Sequence, residues 1–201
     1  HMDPTVASRW LEMSFHEMSS MSSMGMPGVW TWNFGEGFGQ HYLDSIAINH
    51  NAIGRGYETF GNSTAETVLR HAEEDSLSRE WYRPWPPDPT FVWSMRDNVN
   101  YQQTAALAIL DLSARRAKDM LREFYRAGYN SWRKGIDEKP YAFVIPAAQP
   151  DRLRVVQMVN RLRDQKIEVG QLKTPVTLDE GRFVAGDYLV RLDQPYRNFA
   201  L

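Results

Sequence analysis

A chain of 201 residues with 42% hydrophobic and 24% charged residues is long enough for one domain with a sizeable core, or for one and a half smaller ones. The net charge of -2 offers no basic excess for nucleic acid, and the absence of Cys excludes a disulfide framework, a thiolate nucleophile and a Cys-ligated zinc site. No apolar run approaches the roughly 20 residues that a bilayer-spanning helix needs, so neither nucleic acid nor membrane is expected as a partner.

Charge is unevenly spread. Residues 1–90 carry 5 Lys+Arg against 12 Asp+Glu, whereas 91–201 carry 18 against 13, so the halves are expected to attract each other within a chain or between chains. His1-Met2 reads as a cloning remnant with no leader peptide behind it. The compartment stays open, and a secreted or periplasmic parent is compatible with the sequence.

Asp3 followed by Pro4 is a cap and first-turn proline, and Val6, Trp10, Met13, Met21 and Met24 recur at loosely helical spacing. A helix is predicted over 4–24, its Met residues serving as core filler or as a partner groove. GVWTWNF suits a short aromatic strand, on which Trp30 and Trp32 share a face and are either core or a carbohydrate platform. GEGFG turns the chain but lacks the Lys of a phosphate-binding loop. A helix is predicted over His41–Asn51, a strand over Arg55–Phe60 and a helix from Thr64 to Ala72 behind the caps Asn62, Ser63 and Thr64.

Between Glu73 and Thr90, four prolines and two tryptophans mark an irregular, packed connection. Helical periodicity over 98–134 then predicts one long helix holding two modules together. Its expected buried stripe is Tyr101, Ala105, Ile109, Leu112, Ala117, Leu121, Phe124 and Tyr129. Arg115, Arg116, Lys118, Arg122 and Arg126 form a solvated face. The segments YAFVIP, DRLRVVQMVNRLRDQ, IEVGQL and RFVAGDYLVRL predict a β-α-β unit with a further hairpin or strand pair. The expected class is α/β: a partial layered unit over 3–135 with the long connecting helix, and a second small β-α-β unit over 136–201.

Among residues suited to chemistry, Glu58 stands at the centre of the Gly-punctuated run SIAINHNAIGRGYETFGNSTAET, whose other acid is Glu66 near its end. Arg55 offers a planar fork for a carboxylate, and Tyr42 and Tyr57 are candidate oxyanion donors. A structural ion pair between Glu58 and Arg55 is the competing reading. No His stands in H-E-x-x-H spacing; His41 and Asp44 are an i, i+3 pair, which His50 and Glu36 would have to join through folding, and His71 with Glu74 has the same spacing. A conventional zinc site is therefore missing.

The phrases GMPGVWTWNFGEGF, NHNAIGRGYETFGN and YNSWRKG resemble the C-terminal part of the catalytic domain of large, multidomain zinc carboxypeptidase-like proteins. The resemblance covers most of residues 4–135. Residues 136–201 resemble the start of the amidotransferase-like α/β domain that follows it, without a nucleophile signature. The resemblance implies that Glu58 is the general base acting on a zinc-bound water and then the proton donor to the leaving amine. Partial burial would suit that role. It also implies zinc in the parent protein, with no cofactor expected for this chain.

The expectation is a fragment of a zinc carboxypeptidase-like peptidase, weak or inactive alone, with Glu58 catalytic and Arg55, Tyr57 and His50 binding a peptide or small-molecule substrate. Two alternatives stand beside it: a self-contained hydrolase of activated esters using Glu and His residues, and a non-catalytic module that forms a homo-oligomer or contacts missing parental segments.

Overall fold

The computed structural model describes residues 2–31, 42–61 and 64–201. Expectations placed on Trp32, Glu36, His41, the GEGFG turn and the caps Asn62 and Ser63 lie outside the described residues. These form six α-helices and seven short strands in three small antiparallel sheets, a mixed α/β fold. The chain divides into two compact units. The first comprises Ala7–Ser45 and Ile53–Arg122; the second comprises the residues up to Val6, Ile46–Ala52 and Glu123–Leu201.

Helix α1 (Pro4–Ser23) begins as its sequence dictates. Asp3 accepts a hydrogen bond from the Thr5 backbone N–H at 2.8 Å, and Pro4 occupies the first turn. In the first unit, Arg9, Met13, Ser14, Glu17, Met18 and Met21 are buried, a spacing that traces one helix face and threads polar side chains through the Met stripe.

The described part of the expected GVWTWNF strand, residues 28–31, is irregular. Gly28 and Thr31 donate their N–H groups to the carbonyls of Trp85 and Tyr82 in the Pro-rich connection. That connection is held from inside by Arg83, which is buried, donates to the Ser78 and Asp75 carbonyls and lies over the Trp30 ring at 4.7 Å. Trp30 thus supports an arginine.

The predicted helix over 64–72 is replaced by strand β1 (Val68–His71), paired antiparallel with β2 (Thr90–Trp93) in the register Val68↔Trp93. The β-branched and aromatic residues of TFVW supply a partner from beyond the connection, and pairing overrides local helix propensity.

Ser94 and Asp97 start α3 (Met95–Arg115), with the Asp97 carboxylate accepting from the Ser94 N–H at 2.8 Å and its hydroxyl at 2.7 Å. The single helix expected over 98–134 is two. Arg116, at φ -108°, leaves helical geometry between α3 and α4 (Ala117–Asp137), although its N–H still reaches the Leu112 carbonyl. The buried stripe holds at Ala105 and Leu112 but fails beyond, where Ala117, Leu121, Phe124 and Tyr129 are exposed. On α4 the buried positions are Ala127, Ser131 and Gly135, a row of small residues at i, i+4 and i+8.

In the second unit, β3 (Ala142–Ile145), α5 (Arg152–Asp164) and β4 (Gly170–Gln171) follow the predicted order. The two strands do not pair with each other. Strand β7 (Tyr188–Arg191) lies between them, antiparallel to both, and β5 (Val176–Leu178) with β6 (Gly181–Phe183) forms the further hairpin. Val155 and Val159 on α5 pack with Ile145, Ile167 and Val190 as the core of this unit. Helix α6 (Arg197–Ala200) closes the chain.

Gly135 shows how tightly α4 is seated. A Cβ there would stand 1.9 Å from the Leu192 carbonyl oxygen, a backbone atom that no rotamer change can move. Gly135→Ala, a change that favours an isolated helix by ~1 kcal/mol, is expected to destabilise the second unit instead. Thermal unfolding followed by circular dichroism checks the sign.

Candidate functional site

The segment from Gly54 to Phe60 contains most of the residues singled out in the sequence, all in the first unit. It carries no strand ladder, so the predicted strand over Arg55–Phe60 is corrected to an irregular segment. Its burial nevertheless alternates: Arg55, Tyr57 and Thr59 face inward, and Gly56, Glu58 and Phe60 are exposed. Arg55 and Glu58, three residues apart, therefore fall on opposite sides, and the ion pair considered between them does not form.

Arg55 pairs with Glu17 on α1 instead, at 2.7 Å, and both side chains are at least 90% buried. The guanidinium also donates to the Ser14 hydroxyl and lies 4.8 Å from the centre of the Trp10 ring. Tyr57 stands beside the pair, with the guanidinium 5.9 Å from its ring centre. Burial pushes the Glu17 carboxyl above its usual range, and the opposite charge of Arg55 and its hydrogen bond pull it back without cancelling that effect. Burial also raises the Tyr57 hydroxyl, and the neighbouring Glu17 charge adds to the rise.

Two glycines let this segment approach α2 (Leu43–Asn49). A Cβ on Gly54 would meet the Asp44 Cα and carbonyl oxygen at 2.7 Å, and one on Gly56 would meet the Asp44 carboxylate at 3.2 Å. On the far side, α3 takes hold. Asn98 donates to the Phe60 carbonyl at 2.7 Å and itself accepts from the Trp93 indole at 2.7 Å, while the Phe60 ring packs on Phe91 and Trp93 at 5.6 and 5.3 Å. Glu58 is thus an exposed carboxylate on a segment anchored at both ends, and it shares its outward side with Phe60. The partial burial expected of it is not found.

His50 belongs to the second unit. Its Nδ1 lies 2.6 Å from the Ile46 carbonyl oxygen and its Nε2 2.9 Å from that of Gln165, and its ring packs on Tyr196 and Phe199 at 4.7 and 4.6 Å. Both nitrogens are engaged by backbone carbonyl oxygens, which gives His50 a structural role within this unit. His16 reaches the Ser20 hydroxyl at 3.4 Å. Among the described residues, no group of three or more His, Cys, Asp and Glu side chains could hold a metal ion. The described residues do not fit the zinc that the resemblance implies.

Glu17 and Ser14 escaped the sequence reading. The available signal was the spacing of Ser14 and Glu17 from Trp10, i+4 and i+7, on a helix face that also carries Met13, Met18 and Met21.

Removing Glu17 leaves Arg55 charged and buried without its partner, so Glu17→Ala is expected to destabilise the first unit by about 3–5 kcal/mol, measured by urea unfolding. The pH dependence has a defined sign. Because the folded-state value is raised above 4.5, ionising Glu17 opposes folding. Stability relative to Glu17→Gln is expected to be greatest below pH 4.5 and to fall as pH rises through the raised value; a gap that does not change with pH would contradict this. Comparison with family models, curated proteins and solved structures finds no match for the chain.

Proposed function

We propose that the chain is a self-contained hydrolase of activated esters, in which Glu58 moves the proton without a metal. The observation supporting this reading is that Glu58 and Phe60 share the exposed side of a segment pinned by Arg55–Glu17 at one end and Asn98 at the other. Residues two apart on an extended segment lie about 7 Å from each other. An aryl or acyl group resting on Phe60 therefore brings its carbonyl within reach of a water held by the carboxylate. Glu58 takes a proton as the water oxygen bonds to the carbonyl carbon. The proton then passes to the departing oxygen as the C–O bond of the ester breaks. Activated esters, whose leaving groups need little help, are the fitting substrates. Peptide bonds require stabilisation of a far poorer leaving group.

General-base assistance contributes about 10²–10⁴-fold to rate, so Glu58→Gln is expected to slow hydrolysis of a nitrophenyl ester at least 100-fold while Arg55, Glu17 and the fold stay intact. Phe60→Ala is expected to raise KM more than it lowers kcat. Hydrolysis that is unchanged in Glu58→Gln, or that a chelator abolishes, would remove Glu58 from this role or return the chemistry to a metal.

A second reading, self-association, has its own support. In the first unit, Leu69 and Val92 stand directly opposite each other across β1 and β2, and both are more than 60% exposed. A second copy is the occupant that the opposed charges of the chain's halves favour. Sedimentation velocity is expected to give a dimer or larger species, and Leu69→Lys with Val92→Lys is expected to shift it toward monomer. A wild-type monomer at 100 μM would end this reading.

A further inference from the structure

The second unit contains a cavity of about 350 Å³ that the hydrolase reading does not use. It follows from a gap in a helical row. Phe124, Gly128 and Trp132 recur at i, i+4 and i+8 on α4, so two rings flank a position with no side chain. Tyr125 and Tyr129 stand in the neighbouring row, and Tyr196, from the segment before α6, completes the aromatic lining. A Cβ at Gly128 would make only ordinary contacts, 3.6 Å to Pro195 and 3.8 Å to the Asn51 amide nitrogen. The backbone there does not demand glycine, and what glycine leaves behind is space.

The four rings supplied by α4 are each at least 36% exposed, so packing within the unit does not use up their faces. Tyr129 and Trp132 stand 5.5 Å apart, centre to centre, with their planes 43° apart, and neither lies flat on the other. Such an arrangement suits a rounded group better than a flat ring, which needs parallel faces. The lining holds no Lys, Arg, Asp or Glu. Arg133, next to Trp132 in the chain, is paired with Asp137 at 2.7 Å. The Asn51 amide nitrogen donates to the Pro195 carbonyl at 2.8 Å, so the polar group at the edge of the cavity is already engaged. A guest is therefore held by ring faces and apolar contact, with no ion pair.

We propose that this cavity binds a trimethylammonium group, seated over Gly128 with its methyl groups against Trp132, Tyr129 and Phe124. The face of each ring carries the negative part of its quadrupole and attracts a cation. A primary ammonium is strongly hydrated and would surrender its water with no carboxylate in return. A trimethylated nitrogen has no N–H to satisfy and spreads its charge over methyl groups, which ring faces alone can accommodate. The volume stands at the small end of ligand pockets, which suits a compact head group with a short substituent.

Choline and 3,3-dimethylbutan-1-ol are the first probes, alike in shape and different in charge alone. Ethanolamine is the third, with the charge on a primary ammonium. Binding to the full chain is measured by calorimetry and ligand-detected NMR. Choline is expected to bind about tenfold more tightly than either of the others. Trp132→Leu and Tyr129→Leu keep apolar bulk and remove a ring face; each is expected to weaken choline by about fivefold and to leave the neutral alcohol within about twofold, a split that general loss of the fold would not produce. Tyr129→Phe keeps the face and is expected to keep the preference. Gly128→Ala, which helix propensity favours, occupies the seat and is expected to weaken choline by about fivefold in a folded chain. Phosphatidylcholine vesicles that displace choline would place the group on a lipid, and vesicles that leave it bound would place it on a free molecule. Equal affinity for choline and the neutral alcohol, ethanolamine matching choline, or undiminished choline binding in a folded Trp132→Leu or Gly128→Ala would each overturn the assignment. So would a failure of choline to bind at millimolar concentration.

Discussion

The first unit turns on one buried ion pair. Desolvating a guanidinium or a carboxylate costs several kcal/mol per ion even after relaxation, and a pair as deeply buried as Arg55–Glu17 persists only because the geometry returns most of that cost. Arg55 meets the carboxylate at 2.7 Å, donates to Ser14 and lies over Trp10. The return is incomplete: the Nε of Arg55 is buried without an acceptor, and burial still dominates the Glu17 carboxyl. The pair is therefore better understood as a device for direction than as a source of stability. It fixes which side of the 54–60 segment faces α1, and the period-two alternation then sends Glu58 to the other side.

This arrangement explains why the segment needs no strand partners. A lone extended chain normally has its path set by a ladder of backbone hydrogen bonds. Here the path is set by side chains: Arg55 and Tyr57 toward α1, the Phe60 carbonyl to Asn98 on α3, and the close approach that Gly54 permits to the backbone of Asp44. Three of the glycines, all at ordinary φ, serve different ends. Gly54 and Gly135 admit another backbone where a Cβ would collide, whereas Gly128 leaves an opening that a Cβ would only narrow. Only the distances separate these roles, since all three sit at ordinary φ.

Elements governed by local chemistry were readable in the sequence. Asp3-Pro4 starts α1 as a cap and first-turn proline should, α5 follows its apolar period between β3 and β4, and the proline-rich run is an irregular connection. Elements decided by distant partners were not. TVLRH carries no mark that Thr90–Trp93 will claim it as a strand, and nothing in the helical run predicts the departure at Arg116, where neither Gly nor Pro stands. The candidate site divides the same way. Glu58, Arg55 and Tyr57 could be named from one motif, but Glu17 lies 38 residues upstream and became visible only when the helix face and the segment met. His50, from the same polar motif, stands with both nitrogens on carbonyl oxygens, one of them 115 residues away, a contact that its sequence neighbours do not announce.

The hydrolase and self-association readings use opposite faces of one small sheet. A carboxylate in open water competes with solvent for its proton and for its substrate, and hydrolytic sites gain much of their power by excluding bulk water around the reacting atoms. Within the first unit, the exposed Phe60 belongs to an aromatic group with Phe91 and Trp93 and carries the Arg70 guanidinium 4.9 Å above its ring. The sheet behind that group exposes Leu69 and Val92. Successive side chains of a strand point to opposite faces, so Leu69 and Val92 lie on the side of the sheet away from Phe91, Trp93 and Phe60. A second copy seated on them would bury area that folding left open while leaving the outward side of the Glu58 segment uncovered. Association and chemistry are then independent, and hydrolysis per chain would stay constant as protein concentration rises.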